Sequence, residues 1–124
     1  MLVVDDEEGI RELIRMGLTA RGMKVQGVES AEAARSYLAA NPCEVVLCDF
    51  NLPGSSGREF LEELRARSEK APLVFVFMTG ELVDANMSAA CAAKGACILQ
   101  KPFNVSALAA ILTERLALQP SPVR

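Results

Sequence analysis

Asp5 and Asp6 stand directly after the apolar run Met1 to Val4, and a third carboxylate, Asp49, follows a second apolar run, Val45 to Cys48. Thr79 and Lys101 close two further apolar stretches in the same way. Three carboxylates brought together repel one another and raise each other's pKa unless a cation intervenes. A hard, oxygen-liganded divalent ion answers that problem. Mg2+ commonly takes one or two carboxylates, keeps several waters and accepts phosphate oxygens at its remaining positions. In such a setting Asp49 could act as a nucleophile, because carboxylates form acyl phosphates. The ion and the Lys101 ammonium would offset charge on the transferred phosphoryl oxygens, and the Thr79 hydroxyl would donate to another of them. Taken singly, an Asp-Asp pair is ordinarily a solvated turn or helix start, and Thr79-Gly80 or Lys101-Pro102 an ordinary turn. Their shared place at the ends of successive apolar runs carries the weight.

Those runs have to be strands for the polar residues to meet. Met1 to Val4 reads as a buried strand that stops where two charges must reach solvent. Ile10, Leu13, Ile14 and Leu18 then recur at helical spacing, giving an amphipathic helix from about Glu7 to Ala20, closed by Gly22. A second strand is expected over Lys24 to Val28, then a helix capped by Ser30 and stopped by Asn41-Pro42. Val45 to Cys48 is the third strand, followed by a loop from Asn51 to Gly57 and a helix carrying Phe60, Leu61 and Leu64. Pro53, Gly54 and Gly57 are expected to shape that loop.

Pro72 introduces the fourth strand, Leu73 to Met78. A small-residue helix over Asp84 to Lys94 is closed by Gly95, and a fifth strand runs from Cys97 to Leu99. Asn104 caps the last helix, which carries Val105, Leu108, Ile111, Leu112 and Leu116. The final residues, 119–124, form a frayed tail after a single domain over 1–118. Five strands alternating with five helices predict an α/β fold, a doubly wound parallel sheet covered on both faces. In such folds reactive groups gather beyond the carboxyl ends of the strands, so Asp5, Asp6, Asp49, Thr79 and Lys101 are expected on one rim.

Composition removes several alternatives. The 124 residues, 51% hydrophobic, suit one compact domain. A net charge of −3 and scattered Lys and Arg provide no basic field for a nucleic-acid backbone. No apolar run is long enough to span a bilayer, and the acidic start MLVVDDEE is unlike a signal peptide, so a cytoplasmic location is expected. The complete lack of histidine excludes Ser-His and Cys-His nucleophiles and a histidine phosphocarrier. It also excludes Cys/His zinc sites, and the four cysteines, with no CxxC pair, read as small hydrophobes.

VVDDEE, CDFNLPGSSG, MTG and KPF, in this order and spacing, resemble the receiver domains of bacterial two-component systems, and the likeness covers nearly the whole chain. The resemblance implies a flavodoxin-like sheet of order 2-1-3-4-5 and Mg2+-dependent phosphorylation of Asp49 by a partner's phosphohistidine, from a sensor histidine kinase or a histidine phosphotransfer domain. It implies direct metal contacts from Asp6, Asp49 and the backbone carbonyl of Asn51, with Asp5 acting largely through water and Mn2+ as an alternative ion. Thr79 and Lys101 would bind the phosphoryl group, the Lys101-Pro102 bond would be cis, and Asn51 and Glu81 would modulate the approach of water to the acyl phosphate. The domain would catalyse its own phosphorylation and slow dephosphorylation rather than turn over a substrate, and it would serve an output on another domain or protein, as a stand-alone regulator or a piece of a hybrid kinase or larger regulator. One position departs from the pattern: Ile98 stands where such domains usually carry the aromatic partner of the Thr79 switch. A receiver fold used purely for interaction, without control by phosphorylation, is the alternative. An aspartyl phosphatase would want a second acid at position 51, and an FMN site would meet repulsion from DDEEG.

Overall fold

The computed structural model describes residues 1–52, 54–66 and 74–118. Its elements are β1 (Leu2–Val4), α1 (Glu8–Thr19), β2 (Gln26–Val28), α2 (Ala31–Ala40), β3 (Val45–Asp49), β4 (Asn51–Leu52), β5 (Ser55–Ser56), α3 (Gly57–Ala66), β6 (Val74–Thr79), α4 (Ala85–Ala93), β7 (Ala96–Gln100) and α5 (Val105–Leu118). The main sheet has the order β2-β1-β3-β6-β7, and every pairing in it is parallel. Setting aside the small β4–β5 ladder, this is the expected order 2-1-3-4-5 with five helices.

Alternation along the strands builds the two layers, because successive side chains in a strand point to opposite faces. Leu2, Val4, Val46, Cys48, Phe75 and Phe77 face a core completed by Ala34 of α2, Phe60 and Leu61 of α3, and Cys91 of α4. Val3, Val45, Leu47, Val74, Val76 and Met78 face the other core, closed by Ile14 and Leu18 of α1 and Leu108 and Leu112 of α5. Both faces of β1, β3 and β6 are buried, which is why these strands read as unbroken apolar runs.

The helix starts follow the sequence signals. Ser30 accepts the Ala33 amide at 3.1 Å, Asp84 the Met87 amide at 2.8 Å and Asn104 the Ala107 amide at 2.6 Å. Gly22, at φ +84°, closes the turn after α1, its amide donating to the Thr19 carbonyl at 2.9 Å. Several boundaries differ from expectation. The second strand begins at Gln26 rather than Lys24, although the chain's amino terminus donates to the Lys24 carbonyl at 2.9 Å and the Gln26 amide donates to the Met1 carbonyl at 2.9 Å. The fourth strand extends one residue further, so Thr79 is its last residue and pairs with Gln100. The loop from Asn51 to Gly57 contains an antiparallel ladder, Asn51 opposite Ser56 and Leu52 opposite Ser55, which two-residue strands are too short to reveal by pattern. Pro53, Pro72, Leu73 and the tail 119–124 lie outside the described residues.

Phe75 is 1% exposed and packs against Phe77 at 5.0 Å and Phe60 at 6.3 Å between ring centroids. Phe75→Ala is therefore expected to lower stability by about 3 to 5 kcal/mol through lost transfer energy and the cavity left behind. Urea unfolding followed by circular dichroism measures this, and a loss below about 1 kcal/mol would contradict the packing described.

Candidate functional site

Four strand ends deliver the polar residues to one rim. Asp5 follows β1 and is anchored there by its amide, which donates to the Val28 carbonyl at 3.1 Å. Its side chain is fully buried. One carboxylate oxygen accepts the Glu7 amide at 2.9 Å, and the other accepts the Lys101 ammonium at 2.9 Å. Asp6 is the exposed member. Asp49 ends β3 at 8% exposure, with Oδ1 accepting the Asn51 amide at 3.2 Å and Oδ2 facing Lys101 Nζ at 3.4 Å. One oxygen from each of Asp5, Asp6 and Asp49 lies within 4.8 Å of the others.

Thr79 is fully buried at the end of β6. Its Oγ1 accepts the Glu81 amide at 3.1 Å, which leaves the hydroxyl hydrogen to donate elsewhere. Lys101 follows β7; its amide donates to the Thr79 carbonyl at 2.6 Å, and its bond to Pro102 is cis. Glu7 adds a more distant carboxylate, 3.9 Å from the ammonium. Asn51 and Glu81 are both exposed, each tied to the site through its backbone amide. Ile98 is half-buried on β7 and packs against the core layer of α2, α3 and α4.

The electrostatics differ in emphasis from the sequence expectation. The Asp49 carboxyl is held above the usual carboxylate range first by burial, and the charge of Asp5 adds less to that rise than the Asn51 amide and Lys101 take away. Repulsion between carboxylates is thus a minor effect beside desolvation. Burial would lower the Lys101 pKa, but its hydrogen bond to Asp5 and the charges of Asp5 and Asp49 outweigh that and raise it. The donor set of three carboxylates is hard and all-oxygen, which fits Mg2+ or Mn2+.

Two contributors, Arg11 and Phe50, were not singled out from sequence, and a third, Gly57, was given only the shaping of a loop. Arg11, on α1, donates to the Asp5 carbonyl at 2.7 Å and so fixes the acidic turn from behind. Its only signal is its place four residues after Glu7. Phe50 bridges strands, its amide donating to the Met78 carbonyl at 2.8 Å and its carbonyl accepting the Gly57 amide at 3.0 Å. Gly57 does more than shape a loop: a Cβ there would lie 2.6 Å from the Asp49 carbonyl oxygen and 3.1 Å from the Phe77 ring. Only glycine lets α3 begin this close to the end of β3.

Two stability measurements test these electrostatics. A raised carboxyl pKa means that the fold favours protonated Asp49. Ionising it therefore destabilises the fold as pH rises above the unfolded value of about 3.8. In metal-free buffer at pH 7, Asp49→Asn is expected to have a higher urea midpoint than the wild type, with the gap closing as pH falls toward that value; a lower midpoint at pH 7 would contradict the reading. The raised Lys101 pKa acts in the other direction: its contribution is whole below about 10.5 and is lost as pH rises through the higher folded value. Lys101→Met, which strands the buried Asp5 carboxylate, should cost about 3 kcal/mol at pH 7, and an unchanged midpoint would show that Asp5 does not need the ammonium.

The chain as a whole is similar to known proteins. The sequence profile described as "Response regulator receiver domain" matches residues 1–113. Response regulator Rre1 of Synechocystis sp. is 34% identical over 96% of this chain and 52% of its own length. The transcriptional regulatory protein AruR of Pseudomonas aeruginosa is 36% identical over 84% of this chain and 43% of its own. The chain thus spans about half the length of these curated relatives. Among solved structures, the chemotaxis response regulator CheY4 of Vibrio cholerae superposes with a TM-score of 0.83 at 27% identity, over 92% of this chain and 95% of that one. The chain belongs to the response regulator receiver domain family of two-component systems.

Proposed function

We propose that residues 1–118 form a phosphoryl-accepting domain in which Asp49 takes phosphate from a partner's phosphohistidine. The observation that carries this is the meeting of three carboxylates within 4.8 Å, one of them Asp49, beside an ammonium and next to the strand that ends in a buried threonine hydroxyl. A carboxylate oxygen of Asp49 attacks phosphorus, the N–P bond of the donor breaks, and its electron pair returns to the partner's imidazole. Lys101 balances charge on one phosphoryl oxygen, and the Thr79 hydroxyl donates to another.

Asp5, Asp6, Asp49 and the Asn51 carbonyl are the groups proposed to hold Mg2+, with Mn2+ able to replace it, Asp5 acting largely through water. When bound, the ion supplies charge neutralisation between the carboxylates and the incoming phosphoryl oxygens. Asn51 and Glu81 flank Asp49 and Thr79 from exposed positions and would govern how a water reaches the acyl phosphate. The domain is a signalling module with self-phosphorylating and self-dephosphorylating chemistry. A sensor histidine kinase or a histidine phosphotransfer domain is the proposed donor. The output lies on another protein or another part of a longer chain, and any DNA contact of the kind implied by the name of AruR would belong there.

A second reading is supported by Ile98. An aliphatic side chain packed against the core offers neither the ring nor the hydroxyl of the usual aromatic switch, so the fold could serve partners without control by phosphorylation. One experiment separates the two. Incubation with Mg2+ and acetyl phosphate should add one phosphoryl group to the intact mass, and the adduct should be absent in Asp49→Asn and in the presence of EDTA. Lys101→Ala should slow its formation by roughly a hundredfold. A wild type left unmodified by saturating donor would sink the phosphoacceptor reading and favour the second.

A further inference from the structure

A cavity of about 110 Å³ opens between α3 and α4, and none of the acidic residues nor Lys101 lines it. Its inner wall is aromatic: Phe50 and Phe77 meet edge to face at 5.2 Å and 85°. Met87 and Cys91 of α4 complete the apolar lining, with the Cys91 thiol held neutral because burial raises its pKa. Ala90 leaves the remaining space open. Two cations stand at this cavity, Arg58 of α3 and Lys94 at the end of α4, and among the described residues no carboxylate lines it.

The two cations are not equivalent. Lys94 donates to Glu62 at 2.6 Å, so its charge is already matched. Arg58, one turn before Glu62, acts on that carboxylate only as a nearby charge and is not its hydrogen-bond partner. An apolar chamber with one uncommitted guanidinium at its edge is complementary to a ligand with an apolar body and a single anionic group. The volume limits the body. A closed cavity on the order of 150 Å³ accepts benzene, so this smaller, open one suits a branched chain of a few carbons or one aromatic ring with its charged end outside.

We propose that the cavity between α3 and α4 is a binding site for a small monocarboxylate with a branched aliphatic or aromatic body. The carboxylate pairs with Arg58 at the rim, and the body packs between the Phe50–Phe77 corner and Met87. The cavity uses none of the carboxylates of the acidic rim and not Lys101, although Phe50 in its wall directly follows Asp49.

The test is an amide-resolved NMR titration of the full chain with isovalerate, with isovaleramide as its uncharged isostere. Saturable shifts should centre on Phe50, Arg58, Ala90 and Cys91. Arg58→Gln should weaken binding roughly fivefold, the scale of one partly solvated ion pair. Ala90→Leu, an exposed helical position that tolerates a good helix former, should fill the chamber and abolish binding while the spectrum stays folded. The proposal is overturned if isovaleramide binds as tightly as isovalerate, if Ala90→Leu binds normally, if the shifts gather instead around Asp49 and Lys101, or if no saturable shift develops at all.

Discussion

The Lys101 ammonium holds together three strands that have no other polar reason to end at one point. It reaches Asp5 after β1 and Asp49 at the end of β3, while its own amide fastens β7 to the Thr79 carbonyl of β6. Exposed ion pairs contribute little to stability, because water screens them and the long side chains lose freedom. Asp5 is different, being fully buried, and a buried carboxylate must spend its lone pairs on fixed donors. The Glu7 amide and Lys101 provide them. At the nearby Asp49 burial still holds the carboxyl above its usual range, with the Asn51 amide and then the Lys101 cation offsetting part of that rise.

That arrangement follows from what a two-sided parallel sheet permits. β1, β3 and β6 bury both faces, so charge has no place along them and can appear only where a strand stops. The polar residues are concentrated at the carboxyl ends for the same reason that the strands are apolar. The cost falls on the rim, where burial holds the Asp49 carboxyl above its usual range.

Much of this was legible in sequence because it is periodic or terminal. The helix caps at Ser30, Asp84 and Asn104 and the apolar strands each leave a local signature, and the strand-end polar residues could be gathered by topology alone. Contacts set by tertiary approach left none. Arg11 was one more charge on an amphipathic helix until its guanidinium met the Asp5 carbonyl. Gly57 looked like any loop glycine, although its meaning is the 2.6 Å that a Cβ would leave to the Asp49 carbonyl oxygen. The β4–β5 ladder was hidden by its length, and the dominance of burial over repulsion at Asp49 needed the depth of the site, which sequence does not encode locally.

The same close contacts define how a change at Asp49 can travel. Its strand is tied to α3 through Gly57, whose amide bonds the Phe50 carbonyl, and to β6 through the Phe50 amide on Met78. Lys101 carries the third connection, to β7 and hence to Ile98 three residues earlier. Ile98 offers no ring to reorient, whereas Phe50 and Phe77 form an edge-to-face corner directly beside the end of β3, at the wall of the α3–α4 cavity. A packed core shifts between discrete arrangements rather than deforming continuously. The ties nearest Asp49 thus run to α3 and β6 through the Phe50 backbone and to β7 through the Lys101 side chain.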